Sequence, residues 1–337
     1  MLRDEYDVME AMDGQRALAA ARQHKQAISL ILLGFEAPSL DGLRILRNLA
    51  SSTLLDTIPV AMLTTEPSLV PLAKAYELGA EDHIDSFEPP VVLRHVRNLI
   101  ELADARREGM TRAAARRHNE RLLVSFLAHL VEFRNSESGE HVLHIGVLTE
   151  LLLRTLVTMR PDNPWGLTEE YIDLISTAAA LHDIGKIAID EKILNKPSSL
   201  TIAEFEIMKT HTLRGAEIID RLADREAEPL LNVAHEICRS HHERYDGRGY
   251  PDGLRGDEIP ISAQVVAIAD VYDALTSERV YKKARPHEEA VRMILDGECG
   301  AFNPLLLDCL REVCAGIEPG AINPFFPTTV ARGPATC

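Results

Sequence analysis

Residues 246–260 read DGRGYPDGLRGDEIP. Glycines at 247, 249, 253 and 256 and prolines at 251 and 260 rule out a continuous helix there. Glycine loses the most backbone entropy on folding, and proline has no amide proton to donate. Yet the chain around this segment, from about residue 135 to 316, keeps helical apolar spacing. A long irregular loop inside a helical domain must be supported by the helices beside it, and such loops characteristically carry function. The four glycines are expected to serve left-handed turns and close backbone packing.

The first part of the chain is built differently. AISLILL (27–33) and PVAMLTT (59–65) are buried-strand runs, and DGLRILRNLAS and LVPLAKAYELGA have helical spacing. That alternation predicts a parallel α/β layer. Residues 104–134 then read as one long polar helix with an apolar stripe of Leu122, Leu123, Phe126, Leu127 and Leu130. The stripe suits a helix packed on its own domain and equally a connecting helix that pairs subunits. In the helical part, Thr201 to Glu204 form a capping box opening a helix at Ile202, and RPDNPWG (160–166) is a surface turn. The tail from Ile317 is proline-rich and expected to pack loosely. The organisation predicted is therefore an α/β domain over 1–103, a connecting helix over 104–134, a helical domain over 135–316 and a tail over 317–337.

Charge and cysteine usage narrow the function. The 337 residues carry 36 Lys+Arg against 52 Asp+Glu, a net charge of −16, which speaks against binding a nucleic-acid polymer. A small anionic substrate stays open, because a metal cluster reverses the local sign. Aromatics make up 5% of the chain, too few for a single-strand stacking platform. The five cysteines, Cys238, Cys299, Cys309, Cys314 and Cys337, show no CxxC spacing, so a reducing compartment fits best. The start MLRDEYDVMEAMDG is charged from its third residue and is not a signal peptide. No uninterrupted apolar run of about 18 residues appears, so no membrane span is expected. The expectation is a soluble cytoplasmic protein.

One class of residue recurs in the helical part. His182 and Asp183 end an apolar helical run in LHDIGK; His211 follows in MKTHTLRG; His241 and His242 precede the glycine-rich loop. Asp270 and Asp273 lie in IADVYDAL, and Glu137 and His141 stand four apart in ESGEH, on one face if helical. A lone histidine among 13 is more often packed or solvated than a ligand, and His24, His83, His95, His118, His129, His144, His235 and His287 are read that way. Adjacent histidines point about 100° apart in a helix, so His241 and His242 reach one site only near a helix end or around a cluster. The set is imidazole and carboxylate without thiolate, which suits catalytic iron, manganese or zinc rather than structural zinc. There are more ligands than one ion needs, and a shared aspartate bridging two or three ions would absorb the surplus. Such clusters favour phosphate-ester hydrolysis.

With HHERYDGRGYPDGLRGDEIP followed by ADVYDALTSERVYKKA, the chain resembles the HD-GYP family of HD hydrolases over residues 115–316. His182-Asp183 is the HD pair and Gly249-Tyr250-Pro251 the GYP. The resemblance implies an all-α helical bundle that cleaves cyclic di-GMP to pGpG, and in many members of the family on to GMP, through a metal-activated bridging water. It implies metal ligation by His141, His182, Asp183, His211, His241, His242 and Asp270, with Glu137 giving capacity for a third ion, the metal being iron or manganese. Lys186 would contact a substrate phosphate and act with Asp183 in catalysis, and Arg279 and Lys282 match positions that bind the dinucleotide. Asp273 is a weaker bridging candidate that would instead orient a ligand histidine, and Glu243 and Asp246 are read as more structural than catalytic. The GYP loop is either structural or a docking surface. The family's pattern is broken at Asn135, Ser138, His144, Gln264 and Val280, none of which removes a ligand.

The α/β part resembles a response-regulator receiver, flavodoxin-like but incomplete, in DGQRALAAA, ISLILLGFEAPSLDGLRIL, IPVAMLTTE and AYELGAEDHID. Gly34 stands where receivers carry the phosphoacceptor aspartate, and Ser86 where they carry a lysine; the hydroxyl position is kept as Thr64. Glycine cannot form an acyl phosphate. A first strand and its acidic pair are not present before Leu2, which reads either as a shortened start or as an incomplete domain. Either way the domain is expected to regulate or dimerise, with protein partners reached through it or through the GYP loop, and a homodimer is expected. The leading reading is a cyclic-dinucleotide phosphodiesterase. Its rival is a catalytically weak cyclic di-GMP sensor or scaffold, and a third is an HD hydrolase of another nucleotide.

Overall fold

Three short parallel strands and a set of helices packed on one another make two separate units, Met1–His118 and Asn119–Cys337. The structure, a computed structural model, describes residues 1–25, 27–34, 42–52, 58–64, 72–85, 87–134, 140–222, 228–277 and 283–315.

In the first unit, α1 (Gly14–Gln23) is capped by Asp13, whose carboxylate accepts the Arg16 amide at 2.8 Å. Then follow β1 (Ile31–Gly34), α2 (Gly42–Ala50), β2 (Val60–Leu63), α3 (Leu72–Glu77) and β3 (Asp82–Ile84). The sheet order is β1-β2-β3, with Ile31 against Val60 and Ala61 against Asp82. Each parallel pair is joined through a helix, as parallel pairing requires. Side chains alternate along β2. Val60 and Met62 join Ala21, Ile45, Leu46, Leu49 and Ala75 from the first three helices in one cluster. Ala61 faces the other way, with Ile84, Val92, Val96 and Leu99. The expected α/β layer is there, with strands shorter than the apolar runs. Gly34 closes β1, and buried Thr64 follows β2, its amide donating to the Ile84 carbonyl at 3.1 Å. Ser86 lies outside the described residues.

The helix expected over 104–134 starts earlier: α4 runs Pro89–Arg134. Gly109 is the one glycine in that stretch, no proline follows Pro90, and proline in the first helical turn is no obstacle. Leu122, Leu123, Phe126, Leu127 and Leu130 are all exposed, while Val124, Ala128 and Val131 are buried.

Among the described residues, the second unit is built from helices and the loops that join them. Its helices are α5 (Glu140–Met159), α6 (Glu169–Ala178), α7 (Glu191–Leu194), α8 (Ile202–Lys209) and α9 (His211–Asp220). They continue with α10 (Pro229–Ser240), α11 (Ile261–Thr276), α12 (His287–Leu295) and α13 (Pro304–Cys314). By length and hydropathy α5 resembles a membrane span, but its Ile145, Leu148, Leu152, Leu153 and Leu156 are fully buried in the helical core beside Ile175, Val265, Ile268 and Leu306. α8 opens with the expected capping box, Thr201 and Glu204 each accepting from the other's backbone. The glycine-rich segment is irregular apart from a single 3-10 turn at Gly256–Glu258, and the tail lies outside the described residues.

Candidate metal centre

Five separate stretches bring ligand side chains together. His141 sits in the first turn of α5; His182 and Asp183 lie between two 3-10 turns; His211 opens α9; His241 and His242 follow α10; Asp270 projects from α11. The turn carrying His182 and Asp183 is pressed onto α9. A side chain at Gly185 would collide with the His211 carbonyl and the Gly215 backbone, so glycine there permits the approach.

Asp183 is the hub. Its Oδ2 lies 3.2 Å from His182 Nε2 and 2.6 Å from Lys186 Nζ; its Oδ1 lies 3.2 Å from His211 Nε2 and 3.9 Å from His241 Nε2. Asp270 Oδ1 is 3.8 Å from His141 Nε2 and 4.0 Å from His182 Nε2. His242 packs its ring 4.1 Å from that of His241 and 5.1 Å from that of His211. The ligand atoms fall into two groups, His141 with His182 and Asp183, and His211 with His241 and His242, those of each group within 4.8 Å of one another.

The outer nitrogens are already committed. Nδ1 donates to the Ala179 carbonyl from His182 at 2.9 Å, to the Met208 carbonyl from His211 at 2.8 Å and to the Ile237 carbonyl from His241 at 2.9 Å. His141 Nδ1 meets Asp273 Oδ2 at 2.5 Å. Each bond turns Nε2 inward, the arrangement typical of metal-ligating histidine. Nε2 of His141 and His182 and Oδ1 of Asp183 are buried without a hydrogen-bond partner. A buried polar atom left without a partner costs about 1–3 kcal/mol, and a cation among these three removes that cost. The donor set and the orphaned atoms therefore fit a metal.

The electrostatics agree. Burial depresses His182, yet Asp183 overrides it and holds the imidazole up at about 9, so in the metal-free chain a proton balances the carboxylates. Burial also opposes ionisation of Asp183, but Lys186 and then His182 keep it well below the usual carboxylate range. Burial pushes His241 down to about 3 and lowers His211 and His242, leaving these neutral and ready to ligate. The one buried thiol nearby, Cys238, is pushed strongly upward by burial and donates to the Leu181 carbonyl at 3.0 Å, so it offers no thiolate.

Seven of the eight residues read as ligands thus converge. Glu137, and Arg279 and Lys282 read as substrate-binding, lie outside the described residues. Asp273 does not face the cluster; it orients His141 and takes His144 Nδ1 at 2.6 Å on its other oxygen. His144, taken for an ordinary histidine, belongs to this support. His141 with His144 and Asp270 with Asp273 are i, i+3 pairs, each on one helix face, but that spacing does not say that the two faces meet. Glu243 is structural: its buried carboxylate accepts the amides of Asp252, Gly253 and Leu254 at 2.7, 3.0 and 3.1 Å and shapes the glycine-rich loop. Asp246 belongs to that loop too, accepting the Arg248 amide at 3.1 Å. Gly247, Gly253 and Gly256 have positive φ, and a side chain at Gly249 would strike the Glu243–Arg244 backbone.

Comparison with known proteins bears on both units. The profile of the HD domain matches residues 97–300, and that of the response regulator receiver domain matches residues 1–96. A probable cyclic di-GMP phosphodiesterase of Vibrio cholerae is 36% identical over 332 residues, covering 90% of this chain and 71% of the relative. The cyclic di-GMP phosphodiesterase response regulator RpfG of Xanthomonas campestris is 32% identical over 342 residues, covering 97% of this chain and 84% of the relative. A 3′3′-cGAMP-specific phosphodiesterase 2 of Vibrio cholerae is 40% identical over 196 residues, covering 58% of this chain and 35% of the relative.

Proposed function

The chain belongs to the HD domain family and carries a response regulator receiver domain, and from that premise we propose that it is a metal-dependent phosphodiesterase that hydrolyses cyclic di-GMP to pGpG and on to GMP. The observation that carries this is the convergence of four buried histidines, each with Nδ1 bonded outward, on Asp183 and Asp270. His141, His182, Asp183, His211, His241, His242 and Asp270 would hold the metals, iron or manganese by ligand type. Asp183, with one oxygen toward each histidine group, would be the shared ligand. Bound metals lower the pKa of a water and polarise phosphoryl oxygens.

The chain's own part is positioning and charge. Asp273 and three backbone carbonyls hold the histidines in the ligating tautomer. Lys186, 2.6 Å from Asp183 and at the rim of the cluster, turns to a non-bridging phosphate oxygen and stabilises charge that grows as the 3′ oxygen leaves. Arg279 and Lys282 bind the dinucleotide. Glu137 gives capacity for a third metal, and Glu137→Ala then lowers the metal content by about one ion per chain. A weak sensor or scaffold is not favoured, because the ligand positions remain filled and buried atoms of His141, His182 and Asp183 lack a partner.

The receiver domain works without aspartyl phosphorylation, since Gly34 closes β1, and serves contacts. A homodimer forms through the exposed Leu122, Leu123, Phe126, Leu127 and Leu130, and other protein partners meet the receiver or the GYP loop. The protein acts in the cytoplasm, in keeping with Cys238, Cys309 and Cys314 as unbridged thiols. Chromatography of products from metal-loaded protein given cyclic di-GMP and 3′3′-cGAMP side by side tests the substrate. Faster conversion of cyclic di-GMP is expected; preference for the mixed dinucleotide would reassign the substrate.

A further inference from the structure

α8 is unusual for what it leaves uncovered. It buries none of its residues, although it carries Ile202, Phe205, Ile207 and Met208. Ile202 is 85% exposed and Phe205 47%. The helix is held instead by polar contacts, its capping box and the Lys196–Glu204 ion pair at 2.6 Å. Ile202, Phe205 and Lys209 share one face by their spacing.

That face continues into the metal centre. The Phe205 ring stands edge-on to Tyr250, centroids 6.4 Å apart at 81°. Tyr250 in turn lies over His242 at 4.8 Å and 32°. Lys209 Nζ is 5.7 Å from the Phe205 centroid and 5.6 Å from that of Tyr250, and it pairs with Glu206 at 2.8 Å. Two residues on, His211 begins α9. An aromatic path thus leads from a ligand histidine to a half-exposed phenyl ring, with an ammonium group beside it. Aromatic rings stack on unpaired bases, and lysine donates to the O6 and N7 acceptors of guanine.

We propose that Phe205, Tyr250 and Lys209 form a stacking subsite for one purine base of the cyclic dinucleotide, an inference that rests on the phosphodiesterase reading above. The phosphate then lies over the metal centre, and the base projects outward onto the Phe205 ring.

The full-length, metal-loaded protein tests this with two substitutions. Phe205→Leu keeps an apolar side chain and removes the ring. It should raise KM for cyclic di-GMP about tenfold, with a far smaller change in kcat and the same metal content, the signature of lost uniform binding. Phe205→Trp should restore KM, and the fluorescence of the introduced indole should be quenched by cyclic di-GMP; the wild-type chain, whose one tryptophan is Trp165, should show no quenching. An unchanged KM in Phe205→Leu, lost metal in that variant, or a Phe205→Trp signal indifferent to the dinucleotide would overturn the subsite. Quenching is read without turnover. A wild-type protein that does not cleave the dinucleotide therefore counts against the phosphodiesterase reading, while the Phe205→Trp fluorescence still decides the subsite.

Discussion

Oδ2 of Asp273 lies 2.5 Å from Nδ1 of His141, and the carboxylate is almost wholly buried. Burial disfavours its charge, but bonds to His141 and then His144 keep it ionised. His141 is thereby fixed with Nε2 toward the cluster. Asp273→Asn keeps the shape and removes the charged acceptor. Metal affinity should fall about 10- to 100-fold, read by competition with a chromogenic chelator. An unchanged affinity would remove Asp273 from the support of the site.

Asp183 and Lys186 separate by their variants. Asp183→Ala removes the carboxylate that faces both histidine groups, so metal and turnover should disappear together. Lys186→Ala removes a charge beside that carboxylate but no ligand. It should retain metal while kcat falls about 10²-fold. Metal analysis and turnover on the same preparations decide; full metal and full rate in Asp183→Ala would mean that the ligands are misassigned.

Metal uptake should release a proton. His182 is held at about 9 in the folded, metal-free chain, burial being outweighed by Asp183. It is therefore protonated near pH 7, and its Nε2 must be vacated before it can ligate. His211, His241 and His242 are lowered by burial and contribute no proton there. Against burial, Asp273 raises His141 as well, so apparent affinity should rise with pH and level off above about 9, with at least one proton expelled per chain near neutrality. Titration calorimetry in buffers of different ionisation heat measures this, and a heat independent of buffer would contradict it.

Glu243→Ala leaves three loop amides without their acceptor. Charge-assisted bonds of this kind imply a loss of about 3 kcal/mol or more, visible as a lowered Tm. An unaltered Tm would show that the loop does not depend on that carboxylate.

Much of this arrangement was legible in the sequence, for physical reasons that differ from part to part. The parallel layer followed from the apolar runs around Leu32 and Ala61, and α8 from Thr201 and Glu204, because periodicity and capping are local. The residues that meet in the cluster were legible because imidazole and carboxylate recur without thiolate and because the chain resembles the HD-GYP family. The start of α4 at Pro89 was missed, since good helix formers carry no mark of where a domain ends. The link from Asp273 to His144 was missed because it joins residues 129 apart, and no local pattern encodes a contact across two helices. The role of Glu243 was left open, since only the folded loop shows three amides turned toward it.

The most direct measurement is elemental analysis of anaerobically purified full-length protein, with cyclic di-GMP turnover assayed on the same sample. About two to three iron or manganese ions per chain, together with conversion to pGpG or GMP, is the expected result. A loaded centre that leaves the dinucleotide intact would contradict the assignment as a phosphodiesterase, and a protein that takes up no metal would contradict the centre itself.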